Sequence, residues 1–259
     1  MTEPAAGGVE TVARALLEAW REERPVDAAR LADQLKNAED GYAVQESVAR
    51  ASNWFDRAVP QHWKSGGPTR EAVLTHAALP PRRVWTSPAD GSGSHFNMRL
   101  IEAEVALRLA RDVAPAQAAA LSHEEAGSLV DAMCVSIEIV DSRWREARTA
   151  PALLKLADLQ SHGALVLGEW KPYAARDWSR QGCVVRIGGA EPRSFQGTHS
   201  LGDPAWLLPT WLRHVTRQGA TVPKGTVVTT GTWCGMLEAQ RGDKVRAEFE
   251  GIGAAEVQL

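Results

Sequence analysis

Glu102-Ala103-Glu104 is the spacing in this 259-residue chain with the most to say about chemistry. On a strand, side chains two apart share a face, so both carboxylates would stand side by side. Glu138 interrupts the apolar run Val135-Ser136-Ile137-Glu138-Ile139-Val140, where a charge is costly unless it is paired or metal-bound. Three carboxylates brought together would repel and raise one another's pKa. A hard divalent ion such as Mg2+ or Mn2+, which takes all-oxygen ligation, would remove that conflict. A solvent-facing Glu pair on an amphipathic strand is the commoner meaning of the same spacing. Lys64 stands in Gln61-His62-Trp63-Lys64-Ser65-Gly66-Gly67, beside an aromatic residue and ahead of a glycine pair. Partial desolvation there would lower its pKa and suit it to proton transfer, although most lone lysines are simply solvated. None of the seven His has the i, i+4 partner of a helical metal site, and no Walker A loop or dinucleotide fingerprint is present. A G-x-S-x-G nucleophile elbow is absent as well. Composition and spacing therefore give at most an acidic divalent-metal site with a nearby lysine.

The elements that must position these residues read as helices first and strands later. Val9, Val12, Leu16 and Leu17 recur at helical spacing, Asp27 to Leu35 gives a second short helix, and Asn37 or Asp40 caps a third from about Gly41 to Arg50. Residues 80–95, with Pro80-Pro81, Ser87-Pro88 and Asp90-Gly91-Ser92-Gly93-Ser94, read as a loop that could move over a site. Leu100 to Leu109 alternates as a strand, with Ile101, Ala103, Val105, Leu107 and Leu109 on one face. Residues 115–130 read as a helix, and Cys134 to Val140 as a β-branched strand. Gly163 to Gly168, Cys183 to Ile187 and Val227 to Thr230 are further strands, with Gly188-Gly189 as a hairpin turn. Pro204 to Thr216 reads as one helix with Trp206, Leu207, Trp211, Leu212 and Val215 in a stripe, and Lys244 to Glu250 as the final strand. That order is α+β rather than doubly wound. A single domain over 1–259 is expected, with a helical segment at 1–57 and a β-rich core at 58–259.

The chain carries 29 basic and 32 acidic residues, a formal net charge of -3, and 44% hydrophobic residues. That balance gives no electrostatic footprint for nucleic acid, and no apolar run reaches the roughly 20 residues of a membrane helix. Met1-Thr2-Glu3-Pro4 has no basic segment leading into an apolar one, so no signal peptide is read. Cys134, Cys183 and Cys234 are far apart and odd in number, which suits a reducing cytoplasm better than a disulfide framework or a zinc cluster. Ten Trp against two Tyr and four Phe is unusual, and Trp63, Trp85 and Trp144 point to a bulky or apolar pocket.

At its candidate residues the chain resembles the 2-oxopent-4-enoate hydratase and 4-oxalocrotonate decarboxylase group within the fumarylacetoacetate hydrolase superfamily. The similarity begins at Asn37-Ala38-Glu39-Asp40-Gly41-Tyr42-Ala43-Val44-Gln45 and continues at Trp63-Lys64-Ser65-Gly66, where the family has its catalytic Lys. Ile101-Glu102-Ala103-Glu104-Val105 looks like the family's E-x-E strand, and Ile137-Glu138-Ile139-Val140-Asp141 like the segment with the third metal ligand. Ala157-Asp158-Leu159-Gln160-Ser161 falls at its Ala-Asp-Asn-x-Ser segment, with Leu159 in place of Asn. Leu201-Gly202-Asp203-Pro204, Thr230-Gly231-Thr232, Gly242-Asp243 and Gly251-Ile252-Gly253 complete the series in order.

The resemblance implies N-terminal helices packed on a mixed β-roll or partly closed barrel. It implies Mg2+ or Mn2+ on Glu102, Glu104 and Glu138, with Lys64 moving protons or holding an enolate. Asp158, Ser161, Gly231 and Thr232 would contact substrate. No acid matches the hydratases' proton donor between the Lys and E-x-E, and Asp90 or His95 is the nearest replacement. His95, seven residues before Glu102, also fits the lid histidine of the superfamily's C–C hydrolases. The leading implied activity is hydration of a 2-hydroxy-2,4-dienoate to a 4-hydroxy-2-oxo acid in aromatic meta-cleavage catabolism. Decarboxylation of a 4-oxalocrotonate-type acid, C–C hydrolysis and a non-catalytic partner subunit are the alternatives. A cytoplasmic homo-oligomer acting on a small 2-oxo or 2-hydroxydienoic acid is expected, with no nucleic-acid or membrane partner.

Overall fold

The computed structural model describes residues 7–259, so the Met1-Thr2-Glu3-Pro4 reading lies outside the described residues. Two helices come first, α1 (Gly8–Glu22) and α2 (Ala38–Ala51). Five strands follow: β1 (His62–Gly66), β2 (Thr75–Ala78), β3 (Val84–Thr86), β4 (Ala89–Asp90) and β5 (Leu100–Leu109). Short helix α3 (Pro115–Ala120) leads to the long strand β6 (Val130–Val140), and α4 (Ala152–Ala157) leads to β7 (His162–Leu167) and β8 (Lys171–Pro172). β9 (Gly182–Ile187) and β10 (Arg193–Gln196) precede α5 (Leu208–Thr216). β11 (Val227–Thr229), β12 (Leu237–Glu238), β13 (Lys244–Phe249) and β14 (Gly253–Gln258) close the chain.

α1 buries the stripe Val12, Ala13, Leu16 and Ala19 against Val44 and Val48 of α2, and Trp144 and Leu154 complete this small core. Asn37 caps α2, its side chain accepting the Asp40 N–H at 3.0 Å, which satisfies one of the donors a helix start leaves unpaired.

The main sheet runs β2-β1-β11-β5-β6-β7-β3, with β12 added to β5 and β8 to β6. β1–β11 and β3–β7 are parallel and the other pairs antiparallel, so the sheet is mixed and curls into a half-barrel. The second sheet runs β10-β9-β13-β14-β4, and its β13 and β14 lie against β6. With sheet or helix on both faces, β6 is buried along almost its whole length, as expected of a strand covered on both sides. The α+β reading holds.

Several local expectations change. Asp27 to Leu35 forms only a 3-10 turn at Ala29–Leu31. The expected helix at 115–130 stops at Ala120: Leu121 is extended, and the Ser122 hydroxyl donates to Glu125 across a fresh turn, 3.0 Å. Such local side-chain bonds offer the backbone an alternative to helix. The helix expected from Pro204 begins as a 3-10 segment at Pro204–Leu207, and its stripe buries Leu207, Trp211, Leu212 and Val215 but leaves Trp206 part-exposed. Residues 80–95 are stitched down rather than free. β3 pairs with β7 and β4 with β14, the Ser87 N–H donates to Leu167 O, and the Gly91 N–H donates to Gln258 O. Lys244 is not in the final strand, because Gly253–Gln258 folds back on β13 as one more.

Candidate active site

The site grows from one register. In the β5–β6 ladder Glu102 lies opposite Glu138, and Glu104 opposite Ser136. Residues directly opposite on antiparallel strands share a face, so all three carboxylates converge. Each offers an oxygen within 4.8 Å of the others'. β1 reaches this face through β11: Lys64 pairs with Thr229, which pairs with Ala106. The Lys64 ammonium donates to Glu138 Oε1 at 2.5 Å and to the Gln160 carbonyl at 3.2 Å. His162 Nδ1 donates to the same Glu138 oxygen at 3.0 Å. The Thr229 hydroxyl donates to Glu104 Oε2 and meets the Ser136 hydroxyl at 3.0 Å. The Gly231 N–H donates to Glu104 Oε2 at 3.0 Å. Gly231 has φ 108, a backbone state open to glycine and costly for other residues.

The Gln160 carbonyl reaches Lys64 because Leu159, Gln160 and Ser161 are all left-handed, at φ 50, 55 and 61. Such residues cost about 1 kcal/mol or more each, so their surroundings must hold them there. The Gln160 amide donates to the Thr75 hydroxyl, the Asp141 N–H donates to Ser161 O at 2.9 Å, and Asp158 O accepts the Ser161 N–H at 2.8 Å.

Electrostatically the cluster is unbalanced. Burial, then repulsion from Glu138 and Glu104, pushes Glu102 up to about 8. Burial and Glu138 push Glu104 up to about 6, against the pull of Thr229, Lys64 and Gly231. Burial also acts to raise Glu138, but Lys64 and His162 outweigh it and hold that carboxyl below its ordinary value. Burial acts to lower the Lys64 pKa, yet Glu138 and Glu102 outweigh it and the net shift is upward. Lys64 is thus a buried cation at neutral pH, not the amine with lowered pKa that its sequence neighbourhood predicts.

These residues fit a hard divalent ion. The donor set is all oxygen, one ammonium faces three carboxylates, and buried Glu138 Oε2 has no hydrogen-bond partner.

The remaining expected residues lie as follows. Asp158 is fully buried with Arg143, whose Nε donates to Oδ1 at 2.5 Å and whose N–H donates to Oδ2 at 2.9 Å. Ser161 is buried in the left-handed turn. The Thr232 hydroxyl is engaged in its own turn, donating to Gly235 O at 3.0 Å and accepting the Cys234 N–H at 3.2 Å. His95 is exposed and bonded to Asn97 at 3.1 Å, not to a member of the carboxylate cluster. Trp144 is in the helical core, and Trp63 alternates with Lys64 along β1 toward the opposite face. These two tryptophans therefore pack core rather than enlarge the carboxylate site. His162, Thr229 and Ser136 escaped the sequence reading. A His heading the apolar stretch Gly163-Ala164-Leu165-Val166-Leu167 was the available signal, of the same kind that marked Glu138.

A curled mixed sheet with three convergent carboxylates and a buried lysine on one face defines an α+β enzyme of the β-roll type. Residues 39–259 match the fumarylacetoacetate (FAA) hydrolase C-terminal family, and the chain belongs to it. A 4-oxalocrotonate decarboxylase from Pseudomonas sp is 29% identical over 132 residues, which is 50% of this chain and 50% of that relative's length. The fold matches a 4-oxalocrotonate decarboxylase from Pseudomonas putida G7 complexed with magnesium and adipate, at TM-score 0.79 and 17% identity over 96% of both chains. The same enzyme with calcium and acetate gives 0.77, also at 17% identity and 96% of both chains. A 2-hydroxyhepta-2,4-diene-1,7-dioate isomerase from Mycobacterium marinum gives 0.56 at 16% identity, over 78% of this chain and 74% of that one. Among the described residues no helix is long and apolar enough to cross a membrane.

Proposed function

We propose that this chain is a divalent-metal-dependent lyase for a small unsaturated 2-oxo acid, with decarboxylation of a 4-oxalocrotonate-type diacid as the first reading. The observation that carries it is the Lys64 ammonium held 2.5 Å from Glu138 beside Glu102 and Glu104. Glu102, Glu104 and Glu138 would hold Mg2+ or Mn2+, which acts as a Lewis acid on a substrate's 2-oxygen. Lys64, kept protonated by its carboxylate neighbours, stands as a fixed positive charge where the 2-oxygen becomes negative, and preorganised charge of this kind lowers a barrier most. It is also a proton source for the enolate oxygen or the terminal carbon.

Decarboxylation asks least of these residues. Electrons from the breaking C–C bond flow to the 2-oxygen, and no water need be activated. The decarboxylases among the relatives support the same choice. Hydration of a 2-hydroxy-2,4-dienoate is the second reading, favoured by the order of Lys64, Glu102, Glu104 and Glu138 along the chain. It needs in addition a proton delivered to carbon and a water steered to C4. Ser161, Gly231 and Thr232 remain the proposed substrate contacts, while Asp158, wholly buried with both oxygens on Arg143, is not among them. A homo-oligomer in the cytoplasm completes the proposal, and light scattering on the purified chain measures the assembly.

The test offers 4-oxalocrotonate and 2-hydroxypenta-2,4-dienoate separately, following ultraviolet absorbance with Mg2+ and with chelator. Metal-dependent loss of 4-oxalocrotonate with CO2 release is the expected result. Loss of the dienoate alone, giving 4-hydroxy-2-oxopentanoate, would replace decarboxylation by hydration. Loss of neither would sink both readings.

A further inference from the structure

We infer that His162 is a positioning residue of the metal centre, which with Lys64 holds Glu138 Oε1 and so leaves Oε2 as the ligating atom. The inference rests on the metal-centre reading above and assigns a task to a residue outside the ligand set. Glu138 is wholly buried and its two oxygens are unlike. Oε1 takes two donors, Lys64 Nζ at 2.5 Å and His162 Nδ1 at 3.0 Å, while Oε2 takes none. The terminal torsion of a Glu side chain is soft. Without fixed donors on one oxygen, the carboxylate could turn either oxygen, or both, toward an ion.

A carboxylate oxygen only accepts, so the proton of the His162 ring is on Nδ1. Nε2 is buried without a partner. As a bare lone pair it leaves one weak acceptor unsatisfied. As an N–H it would leave an orphaned donor and add a second cation beside Lys64. The neutral Nδ1–H tautomer is therefore the one the surroundings support.

The ring is carried by a rigid anchor. Arg143 Nη1 donates to the His162 carbonyl at 2.7 Å, and Arg143 is fixed by Asp158. At Gly163 a Cβ would stand 2.6 Å from Ile139 O, so the start of β7 is pressed against β6. The Lys64 ammonium is shared, since it also donates to the Gln160 carbonyl and, in the proposed reaction, faces the substrate oxygen. The His162 ring gives Oε1 a donor that serves Glu138 alone. Hydrogen bonds of this outer kind are worth roughly 10- to 100-fold in metal affinity.

The experiment titrates Mg2+ and Mn2+ into metal-free protein by calorimetry for the wild type, His162→Leu and His162→Asn. His162→Leu should bind about 10- to 100-fold more weakly. His162→Asn, whose amide N–H can stand where Nδ1–H stood, should return to within about threefold of wild type. Equal affinity in His162→Leu and wild type would overturn the proposal, and so would equal loss in both variants, which would mean packing alone. A wild type that binds neither ion would overturn the metal-centre reading together with this one. If His162→Leu does not fold, nitrogen NMR of wild-type His162 decides: Nδ1–H is expected, and an Nε2–H tautomer would overturn the role.

Discussion

Glu102 and Glu138 face each other across β5 and β6 with their affinities for protons pushed in opposite directions, up to about 8 for one and below ordinary for the other. In the metal-free protein Glu102 therefore keeps a proton at pH 7, and Glu104, at about 6, shares part of another as pH falls. Binding an ion must expel those protons. Apparent Mg2+ affinity should thus fall roughly tenfold per pH unit as pH drops from about 8 to 6, and more steeply below. Calorimetry across that range checks it, with proton release visible in buffers of different ionisation heat. Glu104→Gln should abolish divalent-dependent turnover and weaken metal binding by about 100-fold or more, since it would remove a proposed ligand rather than an outer contact; unchanged activity would sink the site. His95 is bonded to Asn97 and exposed. His95→Ala should change kcat by less than about threefold, far short of the 100-fold typical of a lost general base. A loss of that size would return the C–C hydrolase reading.

The segment from Asp158 to His162 is the element that makes the centre. It turns left-handed for three residues, delivers the Gln160 carbonyl to Lys64, and enters β7 with His162 on Glu138. Arg143 holds it in place by binding Asp158 through side chain and backbone and by capping the His162 carbonyl, while its guanidinium sits 4.3 Å from the Trp20 ring of α1. Burial raises Asp158 to about 6 even though Arg143 opposes the shift. Desolvation thus outweighs the attraction within the pair, so the pair adds no net stability near neutral pH, but breaking it strands a buried guanidinium. Asp158→Ala should cost about 3–5 kcal/mol, read as a lower urea midpoint. It should also weaken metal binding, because the turn carrying His162 loses its anchor. A midpoint within experimental error of wild type would refute this account of the turn.

For the whole molecule, the three carboxylates make the metal-free fold a poor host at high pH. Glu102, raised from 4.5 to about 8, binds a proton in the folded state that the unfolded chain has released. Its contribution to stability is full below about pH 4.5 and is lost as pH rises through 8. Glu104 acts in the same direction up to about 6. Glu138 acts in the opposite direction, its lowered pKa giving stability above the ordinary carboxylate range that is lost in acid. Up to about pH 7 the loss from Glu102 and Glu104 is outweighed by His62, His76, His162, His199 and His214, which burial keeps from protonating in the fold while the unfolded chain protonates them, so without metal Tm should decline only between about pH 7.5 and 8.5. Saturating Mg2+ should flatten or reverse that decline, because an ion bound only to the folded state adds stability by mass action. A metal-free Tm that rises steadily over this window would contradict the placement of the carboxylates.

The sequence by itself singled out Glu102, Glu104, Glu138 and Lys64 as candidates for chemistry and determined that the fold is α+β. E-x-E on a period-2 strand must place two carboxylates on one face, and Glu138 in an apolar run announces a buried charge in need of partners. The Asn37 cap and the α1 stripe were equally local and equally legible. What only the tertiary structure decided is the meeting of distant segments. The register that sets Glu138 opposite Glu102, the delivery of Lys64 through β11, and the left-handed turn that brings His162 to the same oxygen depend on pairings between strands far apart in sequence. The tertiary fold also reversed the expected state of Lys64. Desolvation is readable from an aromatic neighbour, but the opposing carboxylates that keep it charged arrive from other strands, and Coulomb forces act through space rather than along the chain.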